Sequence, residues 1–539
     1  MSKLAWLAGK LSDRRIGRET VRHLETLSQE PARVSETQAR EMLRKLRNAP
    51  GPHVSLGETT WGESVDVPLA ELVNACGITT GGMGSGKTMA ACLTLDALVK
   101  RMPQLRSMSF GVLDAKGELF ERALFLIARR LGELQGSARR ELQDRVVVID
   151  FSSRAAVSPY NILSRWEYTE RDFFVTSRLE TLRELLPSGD KLSLRGATVL
   201  KNALALLSEF DLPLTYLNRL LDSQTLQAKL LSRTKNSELR AYFGRHFAKE
   251  GQQTIGALRA RMESLVASDG VRLALSGSAA PDFRRLQNEG KIVLVNCAGP
   301  SITRGVRLLL QGLVLADIRQ AIFSRPNNPP VSYLWLADEA QNFFLNRQQQ
   351  ENMADILTMA RSFGSFFLFL CQNLTTAVPD SRILEILHTN IRWSLTLRGT
   401  PNDARFLRSA LPVTGRRPRP ESHPYRERTN HTREEERALL LDEIANLPDR
   451  TGYLWLKTRS AEALRIATRT VELPEPAEFR RMVEAARSDA NLGGRIRRDE
   501  YEARITERDS HWLESAEVPA SDMCQVFEKR YEEERPSWQ

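Results

Sequence analysis

Short apolar runs alternate with longer helical patterns along much of the chain. FGVLDA (110–115) and RVVVIDF (145–151) are typical of buried strands, and the stretches between such runs carry apolar residues at helical spacing. This alternation predicts βαβ units built around a parallel sheet. The same pattern returns in four later segments: KIVLVNCAG (291–299), YLWLADEAQ (333–341), SFFLFLCQN (365–373) and IRWSLTLRG (391–399). We therefore predict an α/β fold whose core is interrupted by a segment of another kind.

The interrupting segment covers residues 165–288. It has no strand-like run, and its Leu and Ala residues recur at helical spacing among many Arg and Lys. We predict an all-helical domain inserted into the α/β core. The resulting organisation has five parts: an N-terminal charged helical segment (1–53), the first part of the core (54–164), the inserted all-alpha domain (165–288), the second part of the core (289–475) and a charged C-terminal tail (476–539).

Composition and charge narrow the class of protein. The 539 residues are 41% hydrophobic and 27% charged, which is typical of a globular protein and excludes a fibre or a wholly disordered chain. The net charge of +10 indicates an anionic partner such as nucleic acid or a membrane surface. No apolar run reaches the roughly 18–20 residues that span a bilayer. The five scattered cysteines lack metal-ligand spacing, so we expect no zinc site and a cytoplasmic location.

A phosphate-binding motif stands between a short apolar segment, CGIT, and a helical pattern, TMAACLTLDALV. The sequence from Gly81 to Thr88, GGMGSGKT, matches GxxxxGK[ST] in full. Lys87 is predicted to bridge the β- and γ-phosphates of ATP, and Thr88 to hold Mg2+. The remaining residues of the motif are expected to curl their backbone N–H groups around the phosphates: Gly81, Gly82, Gly84, Ser85 and Gly86.

A second acidic element follows the apolar strand LWLA. Asp338 is predicted to hold Mg2+ through water, and Glu339 to polarise the attacking water. Gln372 ends the next strand, where it either senses the γ-phosphate or caps the loop. Arg361 lies eleven residues earlier and could reach across a subunit interface as an arginine finger, although spacing alone favours an ordinary surface arginine.

Several other residues allow two interpretations each. Asp114 and Lys116 end the second core strand and either contact nucleotide or a neighbouring subunit, or form a structural turn. Phe343, Phe344 and Arg347 follow the acidic strand and would line a pore in a ring, but composition favours packed core for the two phenylalanines.

The order of these motifs resembles the type IV secretion coupling proteins, the TraG/TraD-like conjugative DNA-transfer ATPases of the HerA/FtsK superfamily. The resemblance covers roughly residues 55–470 and includes LDAKGEL, SPYNIL and the closing LLLDEIANLPDRTGYLWL. It implies a RecA-like motor with a helical insert, a hexameric ring and ATP-driven movement of DNA. The Arg and Lys residues are spread over helices, and from this we expect DNA to be contacted independently of its sequence. The resemblance also implies that Arg361 occupies the finger position and Gln372 the sensor position. Secretion-system or relaxosome proteins are the partners that it implies.

One departure from that family leaves other functions open. Most coupling proteins begin with transmembrane helices, and this sequence has no run that could form one. A coupling protein docked at the inner membrane by its partners is one interpretation, and a cytosolic HerA-like DNA translocase is another. A secretion-system ATPase that energises assembly or protein transfer would share every motif. A non-enzymatic adaptor is disfavoured as the sole function, because the set of ATPase motifs is complete.

Overall fold

The computed structural model of the protein describes most of the chain. The described residues are 36–185, 192–345, 347–372, 378, 380–400, 404, 407–413, 417, 419, 430–489 and 491–514. Of the predicted segments, the N-terminal one lies outside them up to residue 35 and the C-terminal tail from residue 515, and shorter gaps fall in the helical segment and in the second part of the core. The chain divides into two compact units, the first comprising Met1–Ala97 and Leu368–Val471, the second Leu98–Phe367 and Glu472–Gln539.

The strands have the following bounds: β1 (His53–Thr59), β2 (Ser64–Pro68), β3 (Gly77–Thr80), β4 (Met108–Asp114), β5 (Val146–Asp150), β6 (Ala156–Val157), β7 (Ile292–Asn296), β8 (Ser332–Ala337), β9 (Ser365–Cys371), β10 (Trp393–Leu397), β11 (Thr451–Leu456), β12 (Leu464–Thr468) and β13 (Ile496–Arg497).

The α-helices have the following bounds: α1 (36–47), α2 (Leu69–Val73), α3 (Lys87–Lys100), α4 (Glu118–Glu133), α5 (Gly136–Arg145), α6 (Arg171–Leu185), α7 (Leu194–Glu209), α8 (Leu217–Asp222), α9 (Gln224–Arg233), α10 (Ser237–Ala241), α11 (Gln252–Leu265), α12 (Asp269–Leu275), α13 (Phe283–Asn288), α14 (Arg304–Phe323), α15 (Arg347–Met359), α16 (Ser381–Asn390), α17 (Arg433–Ile444), α18 (Pro476–Ser488) and α19 (Arg498–Asp509).

In the first unit the strands lie in the order β2-β1-β12-β11-β10-β3-β9, the last contributing Leu368–Cys371. β3 pairs in parallel with both β9 and β10. The remaining pairs, from β10 to β2, are antiparallel. Since the carboxyl ends of parallel strands share one edge, β3, β9 and β10 deliver the segments that follow them to the same side of this unit.

In the second unit β4 is flanked in parallel by β8 and β7, and β7 pairs in parallel with β5. Every residue of β5 and β7 is buried, as expected for parallel strands covered by helices on both faces. Between Arg171 and Leu275 the described residues form helices and their connections, without a strand.

The segment after Glu472 also belongs to the second unit. α18 packs on α4, where the Phe479 and Phe125 rings lie 5.2 Å apart. β13 then pairs with β6. α19 reaches the helical segment, because the Tyr501 hydroxyl donates to the Leu273 carbonyl over 3.1 Å.

Parallel strands joined through helices, with a glycine-rich loop between β3 and α3, confirm the predicted α/β, RecA-like P-loop fold class. Within the described ranges, no helix combines the length and the apolar composition that a membrane crossing requires.

Candidate nucleotide-binding site

The predicted phosphate-binding loop leaves the carboxyl end of β3 in the first unit. β3 ends at Thr80, which is paired in register with Cys371 of β9 and Thr396 of β10. α3 begins at Lys87, so residues 81–86 form the whole connection. The N–H groups in the first turn of a helix have no intrahelical acceptors, and they make this connection suitable for an anion.

The loop is shaped by two glycines in the left-handed region. Gly84 has φ 73° and Gly86 has φ 102°, conformations that side chains disfavour. The Ser85 hydroxyl donates to the Gly82 carbonyl over 2.9 Å and holds the turn closed. The ammonium of Lys87 donates to the carbonyls of Gly81 and Gly82 over 2.7 and 2.8 Å. The lysine thus lies over its own loop, with the half-buried Thr88 beside it in the first turn of α3.

Gln372 lies at the same edge of the first unit. It follows β9 directly and is half-buried. The Gly81 N–H donates to the Cys371 carbonyl over 3.3 Å, which fixes the start of the loop beside the end of β9. The structure therefore brings Gln372 together with the phosphate-binding loop.

Two residues of the first unit that sequence reasoning did not single out also contact this loop, and a third contacts one of them. The Gly82 N–H donates to the Arg398 carbonyl over 2.7 Å. The Arg450 N–H donates to the Ser85 carbonyl over 3.0 Å. Asp449, the residue before Arg450, forms an ion pair of 2.6 Å with Arg398. Their only sequence signal is their position, just after β10 and just before β11.

In the second unit, the predicted acidic pair follows β8. Ala337 ends this strand in register with Leu113 of β4, and the Asp338 N–H donates to the Leu113 carbonyl over 3.0 Å. Asp338 is 4% exposed. Its own carbonyl accepts a hydrogen bond of 3.4 Å from the Gln311 amide of α14.

Glu339 adopts an unusual conformation for a glutamate. Its φ of 52° and ψ of 46° lie in the left-handed region, which non-glycine residues occupy only where surrounding contacts compensate. Its carboxylate forms an ion pair with Lys116 and accepts a hydrogen bond from the Gln341 amide. The Glu339 side chain is 12% exposed and that of Lys116 is 43% exposed. The carboxylate therefore has less access to water than the ammonium, and it relies more on these partners to stabilise its charge.

The structure also gives Asp114 a role. Its carboxylate accepts the N–H groups of Lys116 and Phe120 over 2.7 and 2.8 Å, so it closes the turn that starts α4. Burial raises the pKa of Asp114, and these backbone hydrogen bonds oppose the shift. For Asp114 and Lys116 the sequence left open a nucleotide or subunit contact and a structural turn. The structural turn fits Asp114, whereas Lys116 contacts Glu339.

Arg361 and Gln372 lie at opposite ends of β9. Arg361 is exposed in a short turn that precedes Ser365, whereas Gln372 follows Cys371. Arg361 thus precedes β9 in the second unit, and Gln372 follows β9 in the first unit.

The phenylalanines after β8 do not line a surface. Phe343 and Phe344 are each 1% exposed, so packed core is the correct interpretation of the two. The side chain of Arg347 lies outside the described residues.

The fold and its loop define an α/β protein of the P-loop class. The sequence matches no protein-family model and no curated protein. Among solved structures, the chain is similar to the unbound bacterial conjugative coupling protein TrwB, at 15% identity and a TM-score of 0.49, over 80% of this chain and 92% of that one. It is also similar to VirB4 of Thermoanaerobacter pseudethanolicus, at 13% identity and a TM-score of 0.48, over 80% and 99% of the respective chains.

A third similar structure is the plasmid coupling protein TrwB in complex with ADP and Mg2+, at 15% identity and a TM-score of 0.47, over 81% of this chain and 93% of that one. At these identities the likeness concerns the fold alone.

Proposed function

We propose that this protein is an ATPase that assembles as a ring and moves DNA, as a coupling-protein-like motor of conjugative transfer. The observation that carries the proposal is the complete loop from Gly81 to Thr88, placed between a parallel strand and a helix N-terminus. That arrangement is suited to a nucleoside triphosphate because backbone N–H groups and one lysine converge on the loop.

In this proposal the residues of the loop bind the phosphates through their N–H groups, and Lys87 exchanges the carbonyls of Gly81 and Gly82 for phosphate oxygens. A hydroxyl and a carboxylate are ligands that Mg2+ accepts, so Thr88 and Asp338 are assigned to the metal. Bound Mg2+ would neutralise charge that develops on the phosphates. Glu339 is assigned to polarise the attacking water, and Gln372 to sense the γ-phosphate.

The assignment of both motifs to one nucleotide rests on their order along the chain. That order also supports transfer of DNA, with secretion-system or relaxosome proteins as partners. The net charge of +10 supports a polyanionic substrate whose phosphates are contacted without reading of sequence. We propose a hexameric ring at the cytoplasmic side of the inner membrane, with any membrane contact supplied by partners.

A motor that energises protein transfer or secretion-system assembly would use the same site. The two functions differ in whether nucleic acid changes the hydrolysis rate. The decisive experiment measures ATP hydrolysis with no DNA, with single-stranded DNA and with double-stranded DNA, while light scattering reports the mass of the assembly.

We expect DNA to stimulate the wild type and Lys87→Ala to hydrolyse nothing above background, because Lys87 is the only side-chain cation that the motif offers to the phosphates. DNA affinity should fall steeply with added salt and vary little with base sequence. Normal turnover by folded Lys87→Ala would refute the loop assignment. Hydrolysis that DNA leaves unchanged, without DNA binding at low salt, would favour the protein-transfer motor.

A further inference from the structure

Arg450 lies in the first unit just before β11, next to the phosphate-binding loop, and its backbone is strained. Its φ of 61° lies in the left-handed region, which is uncommon for a residue with a long side chain. Its N–H donates to the Ser85 carbonyl over 3.0 Å. Its carbonyl accepts from the Thr468 N–H and hydroxyl over 2.7 and 3.1 Å. Hydrogen bonds on both sides of the residue therefore hold the strained conformation in place.

The stem of Arg450 lies directly against the loop. A Cβ atom on residue 86 would come within 2.9 Å of the Arg450 Cγ and 3.7 Å of its Cβ. Gly86 therefore leaves the space through which the arginine stem passes. Since the guanidinium begins two bonds beyond Cγ, the positive charge is held close to the residue that precedes Lys87.

The charge of this arginine is not used within the described residues. Arg450 is exposed, and its guanidinium has neither an ion pair nor a hydrogen bond there. Nearby arginines of the same unit are paired: Arg398 with Asp449 at 2.6 Å, Arg465 with Glu443 at 3.1 Å and Arg469 with Glu58 at 3.2 Å. A strained backbone that presents an unpaired cation beside a phosphate-binding loop is the arrangement expected of a ligand-binding residue.

We propose that Arg450 is a nucleotide-contacting residue and that its guanidinium binds a phosphate of the nucleotide held by the loop of its own subunit. The inference rests on the proposed function of that loop. The GxxxxGK[ST] motif supplies one cation, whereas a nucleoside di- or triphosphate carries several negative charges. An arginine fork can accept two oxygens of a phosphate at once, so it complements the point charge of Lys87.

The test compares equilibrium binding of ADP with Mg2+ to the full chain and to three variants. Arg450→Met retains the stem that packs on Gly86 and removes only the charge. Arg450→Lys retains a charge without the fork. Arg459→Ala removes a different exposed arginine of the same unit, one that pairs with Glu71.

We expect Arg450→Met to bind ADP about 10-fold more weakly, which is the size of one charge-assisted hydrogen bond. Arg450→Lys should be intermediate, and Arg459→Ala should match the wild type. The difference between wild type and Arg450→Met should shrink at high salt, because a charge contact is screened and packing is not. Thermal unfolding without nucleotide shows that each variant is folded; if Arg450→Met is not, Arg450→Gln carries the same expectation.

Equal ADP affinity for wild type and Arg450→Met, at low and high salt, would overturn the inference. Failure of the proposed function has a different signature: the wild type itself would not bind ADP, or Lys87→Ala would bind it as tightly as the wild type. If Lys87→Ala loses ADP binding while Arg450→Met keeps it, the loop assignment stands, and Arg450 only supports the conformation of the loop.

Discussion

At the scale of single residues, Lys87 and Glu339 both have proposed catalytic roles, and both side chains are already bound to other groups of the protein. ATP turnover would require each of them to leave these partners. The Lys87 ammonium donates to two carbonyls of its own loop. The Glu339 carboxylate is paired with Lys116 and accepts from Gln341. Glu339 also carries left-handed backbone strain, which is common where function and not folding selects a conformation.

Replacement of Glu339 by glutamine separates nucleotide binding from hydrolysis. Gln is nearly isosteric but cannot take a proton from water, so we expect Glu339→Gln to bind ATP and to hydrolyse it roughly 10²- to 10⁴-fold more slowly. Phosphate release in a single turnover and binding of a labelled ATP analogue measure the two steps. The proposed ring should also persist longer with ATP bound. A variant that folds but no longer binds nucleotide would show that the roles assigned to Asp338 and Glu339 are wrong.

At the scale of elements, a buried polar contact joins the first helix of the helical segment to a core helix of the second unit. Arg178 of α6 forms an ion pair with Asp317 of α14, and the Tyr160 hydroxyl donates to the same carboxylate. The side chains of Arg178 and Asp317 are 3% and 1% exposed. Burial raises the pKa of Asp317, and Arg178 opposes that shift. A buried carboxylate of this kind is tolerated only while its partners remain.

Arg178→Met should therefore destabilise the second unit by about 3–5 kcal/mol, because it leaves Asp317 buried without a counter-charge. The midpoint of chemical unfolding measures the loss. Arg183→Met is the matched control, since Arg183 is exposed on the same helix and its replacement should change stability by less than about 0.5 kcal/mol. If the two substitutions reduced stability equally, the ion pair between Arg178 and Asp317 would not be what stabilises the packing of α6.

At the scale of the whole molecule, the position of Arg361 bears on assembly. It is exposed at the amino end of β9, whereas Gln372 lies beside the phosphate-binding loop at the carboxyl end. The order of the motifs along the chain is what suggests that a finger on this residue acts on the nucleotide of a neighbouring subunit. We propose that each active site is completed by Arg361 of the next subunit in the ring, and such fingers contribute roughly 10³- to 10⁵-fold in rate.

Mixing two inactive variants tests this arrangement. Arg361→Ala and Lys87→Ala are each expected to be inactive as pure rings. Mixed rings contain some interfaces where an intact Lys87 meets an intact Arg361, so part of the ATPase activity should return. The control is a mixture of Lys87→Ala with the double variant, which has no such interface. If mixed rings form and activity stays absent, Arg361 is an ordinary surface arginine.

The sequence alone determined the α/β class, and it predicted the glycine-rich loop between β3 and α3 and the acids after β8. Each of these depends on a contiguous stretch: the period of apolar positions specifies strand or helix, and the GGMGSGKT motif specifies its own turn. It also indicated that Phe343 and Phe344 are packed core, because large apolar residues after a buried strand favour burial.

Only the tertiary structure decided which distant residues meet. The contacts of Arg398 and Arg450 with the loop depend on β10 lying beside β3 and β11 beside β10, an order that periodicity does not encode. Lys116 pairs with Glu339 because β4 and β8 are neighbours in register. Strand order and register arise from long-range packing of side chains. The residues that a strand end contacts therefore cannot be predicted before the order of the strands is known.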